Sequence, residues 1–84
     1  STARGRTMSL DGIVLPKGVG PDAEKLLDAI TQAGTADDLN RAGGKAEGFV
    51  LGLESGKCIK SQIAERLYVA FDDACSQRLT ELSA

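Results

Sequence analysis

Apolar positions recur with a helical period over most of the chain. In "GPDAEKLLDAITQAG", Ala23, Leu26, Leu27 and Ile30 fall at i, i+3, i+4 and i+7, which makes one helical face apolar. Pro21 suits the first helical position, where a missing N–H costs nothing, and Asp22 and Glu24 would favour the positive end of the helix dipole. Gly34 is the expected stop. "TADD" opens a second helix, with Thr35 as N-cap and Asp38 in the acidic place of a capping box, where Glu or Gln is more usual. Leu39, Ala42, Ala46, Phe49, Val50 and Leu53 share one stripe, and Asp37 with Arg41 makes a well-oriented i, i+4 pair. The pattern predicts this helix to about Ser55. A competing reading breaks it at Gly43–Gly44 and makes 49–53 a strand, since short apolar runs suit either state.

"SGKCIKSQ" has the composition of a turn between antiparallel helices. Gly56 is expected as a left-handed cap, Ile59 as a side chain folded back on the core, and Ser61 as the next N-cap. The last helix, "SQIAERLYVAFDDACSQRLTEL", is the longest, about 21 residues or ~32 Å. Ile63, Leu67, Ala70, Phe71 and Ala74 form an ordinary stripe. Ala64, Tyr68, Cys75, Leu79 and Leu82 widen it to about half the circumference, against the ~100° of a one-sided surface helix.

Residues 1–20 show no such period. They hold four of the ten glycines, and their one strand-like piece, "GIVLP", ends at Pro16. The expected architecture is therefore all-α: an extended N-terminal arm over 1–20, then a small three-helix domain over 21–84, a helical hairpin plus one helix. Met8 is the expected natural start, with residues 1–7 an added leader. The longest apolar run, "FVLGL", falls far short of the ~20 residues that span a bilayer, and the first residues lack the apolar core of a secretory signal. A cytoplasmic protein with reduced thiols is expected.

Glycine stands at 44, 48, 52 and 56 in the second helix. At 100° per residue these positions centre about 140° from the apolar stripe, so they form a second face rather than gaps in the first. Several interior glycines cost on the order of 3 kcal/mol, which close packing of another helix would offset. That close packing is the expectation; the alternative leaves the glycines facing solvent.

Length sharpens the question of partners. A chain of 84 residues buries only about 60–65% of its unfolded surface. It has two cysteines, Cys58 and Cys75, and no histidine, so neither a disulfide framework nor an imidazole metal site is available to staple it. Self-association is the remaining route. The expected contact surface combines Gly48, Leu51 and Gly52 on the second helix with Tyr68, Cys75 and Leu79 on the third. The alternative cover for the wide face is the arm, through Ile13, Val14 and Leu15.

Candidate chemistry changes little. Without histidine, Ser–His–Asp and Cys–His nucleophiles cannot form within one chain. "GLESGKC" has three residues between its glycines where a phosphate loop needs four, and cysteine replaces the hydroxyl that would hold magnesium. Asp37–Asp38 and Asp72–Asp73 are adjacent pairs whose side chains diverge by ~100° on a helix, so neither pair converges on one atom. No cofactor and no metal are expected.

Charge weighs against nucleic acid. Residues 1–20 carry Arg4, Arg6 and Lys17 against Asp11, whereas residues 21–84 carry seven basic and eleven acidic residues. An acidic body is a poor match to phosphate. The expected function is a small non-enzymatic protein–protein interaction or adaptor module acting as a homodimer. The alternative is a regulatory nucleic-acid binder using the basic arm and Lys57, Lys60 and Gln62 at the start of the last helix. An enzyme or small-ligand carrier with a pocket beside the glycine face ranks third.

Overall fold

The computed structural model describes Leu10 and residues 12–84. Arg4, Arg6, Met8 and the proposed leader lie outside them. Three helices follow in order: α1 (Val19–Thr31), α2 (Ala36–Ser55) and α3 (Ser61–Ser83), with no strand among the described residues. The all-α, three-helix architecture is as the periodicity predicts. The shortest dimension is 19 Å, two helices thick, so each helix keeps one side toward water.

The helix α1 begins two residues earlier than expected. Gly18, at φ 89°, is its N-cap, which puts Pro21 at the third helical position rather than the first. A positive φ is open to glycine at no steric cost, and this sets the start ahead of the proline signal. Ala23, Leu27 and Ile30 are buried on one face, and the helix ends at Thr31 with Gln32 as C-cap, short of Gly34.

The cap of α2 forms as predicted: Thr35 Oγ1 accepts from the Asp38 amide at 3.0 Å. Such a cap contributes about 1 kcal/mol. The expected Asp37–Arg41 pair is replaced by Asp38–Arg41, 3.8 Å apart and exposed. The helix runs unbroken through Gly43–Gly44, and 49–53 is helical, not a strand. Leu39, Ala42, Ala46 and Val50 are buried; Phe49 and Leu53 pack half-buried beside them.

The turn after α2 differs by one residue from its expected form. Gly56 has φ −81°, and the left-handed residue is Lys57 at φ 58°. The amides of Lys57 and Cys58 donate to the carbonyls of Glu54 and Leu53, 3.0 and 2.8 Å. These are the two bonds of a Schellman ending, with lysine where glycine is usual, at a cost of about 1 kcal/mol. Ile59 then folds back and is buried. Lys60 rather than Ser61 is the N-cap of α3, without a side-chain cap bond.

The core joins all three helices through Leu27, Ile30, Val50 and Leu67, with Leu10 buried from the arm and Ile13 and Leu15 half-buried against it. Val14 points away, 82% exposed. Arg66 donates to the Gly12 carbonyl at 3.5 Å, tying the arm to α3. At the far end Arg78 Nε donates to the Ala33 carbonyl at 2.8 Å while its Nη1 meets Glu81 at 2.9 Å. No polar or charged side chain is buried among the described residues.

Candidate functional site

Small residues at the α2–α3 crossing create an open groove. A Cβ added at Gly43 would stand 3.1 Å from Cys75 Sγ, so the helices approach closely there and the floor is shallow. Larger side chains complete the lining: the buried Leu39 and the exposed Glu47 from α2, and Tyr68, Val69, Asp72 and Leu79 from α3. The groove holds about 660 Å³, within the size range of ligand and peptide sites. Val69 and Leu79 are 54% and 50% exposed. Two apolar side chains are thus half in water beside an apolar floor.

The floor half-buries a thiol. Burial pushes Cys75 above its ordinary value, and the neighbouring Asp72 carboxylate adds to the effect. The fold thus favours the neutral form of the Cys75 thiol. Cys58, by contrast, is exposed on the turn and free, with its Sγ 3.9 Å from the Gly56 carbonyl oxygen. Among the described residues no group of histidine, cysteine, aspartate or glutamate side chains could hold a metal ion, and no helix is long and apolar enough to cross a membrane.

The six residues expected to form one contact surface separate into two sets. Tyr68, Cys75 and Leu79 meet in the groove. Gly48, Leu51 and Gly52 lie elsewhere on α2, exposed, with Leu51 at 55%. A Cβ at Gly44, Gly48 or Gly52 would meet nothing within 4 Å. Among the described residues no second helix packs on the glycine face, so the close packing expected there is not made within the three-helix domain. The described part of the arm does not line the groove either: Ile13 and Leu15 pack against the core beside Leu10, and Val14 points away.

Sequence reasoning missed Gly43, Glu47 and Val69. Val69 lies outside the α3 stripe, and Gly43 and Glu47 matter only once α2 and α3 are paired; helical spacing carries no signal of that pairing. Lys57, Lys60 and Gln62 are exposed at the α2–α3 turn, away from the groove lining. Comparison of the chain with family models, with curated proteins and with solved structures finds no match.

Proposed function

We propose that this three-helix protein is a non-enzymatic interaction module that presents the α2–α3 groove to a partner protein. The observation that carries this reading is the half-exposure of Val69 and Leu79 along an apolar groove. An apolar centre within a polar rim is the anatomy of a protein interface. Such side chains gain about 25 cal/mol per Å² when a partner removes them from water.

Self-association belongs to the same proposal and uses the other α2 face. Leu51 stands exposed on the same helix as three glycines that none of the described residues opposes. A second copy of α2 could approach there with backbones close.

The test is solution mass by light scattering over a hundredfold concentration range, for the wild type, Leu51→Asp, and Val69→Asp with Leu79→Asp. A dimer of twice 8.7 kDa that Leu51→Asp dissociates and the groove variant leaves intact is expected. A monomer at every concentration overturns self-association. Dissociation by the groove variant alone overturns the assignment of the two faces.

A further inference from the structure

We infer that the groove's occupant is a basic amphipathic helix of another protein, an inference that rests on the groove being an interaction surface. The charge of the groove and its geometry lead there independently. Among the described residues, Glu47 on the α2 side and Asp72 on the α3 side are the charged ones lining it, with no lysine or arginine beside them. The two-sided placement matters. A helix lying in the groove has one carboxylate on each side, so a partner with an apolar ridge between two basic flanks matches both at once.

The dimensions suit a helix. The lining runs from Leu39 to Glu47 on α2 and from Tyr68 to Leu79 on α3, about 12 and 16 Å of helix at 1.5 Å per residue. That accepts roughly three turns, whose anchors at i, i+3 or i+4, and i+7 would sit along the floor over Gly43 and Cys75. The flat floor helps, because two small residues leave room for a ridge of large ones.

Other occupants fit less well. A second copy docking groove to groove would bring two more carboxylates, and no basic side chain of the described lining, into the same interface, which disfavours the pairing. Small-molecule sites fix their ligand with convergent buried polar groups, and the described residues include no buried polar side chain. Nucleic acid is repelled by two carboxylates at the site.

The inference is tested with three synthetic helical peptides of about 14 residues, all with the same leucine ridge and with flanks of lysine, glutamine or glutamate. Binding is measured by titration calorimetry at low and physiological salt, to the wild type, to Glu47→Lys with Asp72→Lys, and to Val69→Asp with Leu79→Asp. Circular dichroism confirms that each variant keeps its helices. The lysine peptide should bind the wild type at least tenfold more tightly than the glutamine peptide. That margin should shrink with salt. The Glu47→Lys, Asp72→Lys variant should reverse the order in favour of the glutamate peptide, and Val69→Asp with Leu79→Asp should abolish binding of all three.

Equal binding of the three peptides, lost only in the Val69 and Leu79 variant, overturns the basic partner and leaves the interaction surface standing. Lysine-peptide binding unchanged by Val69→Asp with Leu79→Asp overturns the groove as its site. No binding of any peptide overturns both readings.

Discussion

Two neighbouring glycines of α2 have opposite surroundings. Gly43 faces α3, and a methyl group there would press on Cys75 Sγ at 3.1 Å; Gly44, one residue on, would meet nothing within 4 Å, as would Gly48 and Gly52. The i, i+4 repeat that stands out in the sequence marks the open face, while the glycine that lets two helices approach is outside the repeat. Position relative to the apolar stripe, not spacing between glycines, decides whether a missing side chain does structural work. The buried residues Leu39, Ala42, Ala46 and Val50 define where the neighbouring helices lie, and Gly43 borders that stripe.

The largest effect that tests this contrast comes from filling the open face. Gly44→Ala, Gly48→Ala and Gly52→Ala together should raise the unfolding free energy of the dilute monomer by about 2–3 kcal/mol, read from urea melts, because each replaces a flexible helix interior with the best helix former. A loss of stability in the dilute monomer would erase the distinction between the faces. A shift of dimerisation to higher concentration in the same variant would place a second copy on these glycines.

A smaller effect is expected at Gly43. Gly43→Ala alone should gain less than about 0.5 kcal/mol, since Cys75 must give way by a few tenths of an ångström. Combined with Cys75→Ala, it should show a favourable coupling of about 0.5–1 kcal/mol in a double-mutant cycle. Zero coupling would mean that α2 and α3 are not in close contact here.

The smallest effect is one of pH. The folded Cys75 thiol ionises above its ordinary value of 9.0, so the fold favours the neutral form. Its stabilising contribution is complete below pH 9 and falls as pH rises from there through the folded value. Chemical melts of the wild type and Cys75→Ala should run parallel below pH 9 and diverge above it, with the wild type losing more. Parallel behaviour at high pH would mean that the groove floor is wet.

Much of this fold was legible in local sequence. The stripes of α2 and α3 and the Thr35 cap depend on residues within one or two turns, and they appear where spacing and cap chemistry put them. Boundaries shifted where two local signals competed. Gly18 with a positive φ outranked Pro21 as the start of α1, and Lys57 took the left-handed position beside Gly56. The groove was only half legible. Tyr68, Cys75 and Leu79 came from the excess width of the α3 stripe, but their separation from Gly48, Leu51 and Gly52 follows from how α2 is rotated against α3. That rotation is fixed by packing among three helices, a property of no single window of sequence.

The Arg78 contact with the Ala33 carbonyl also bears on how the molecule opens. It spans 45 residues of chain, whereas most bonds of a helical protein close over four. The end of a helix ordinarily frays with little free energy, and its amides exchange with solvent first. Here the guanidinium fastens α3 to the corner between α1 and α2, five residues before the helix ends at Ser83. Amide exchange on α3 should therefore divide at Arg78: the last turn opens locally, while the amides before it are released only when the three helices part together.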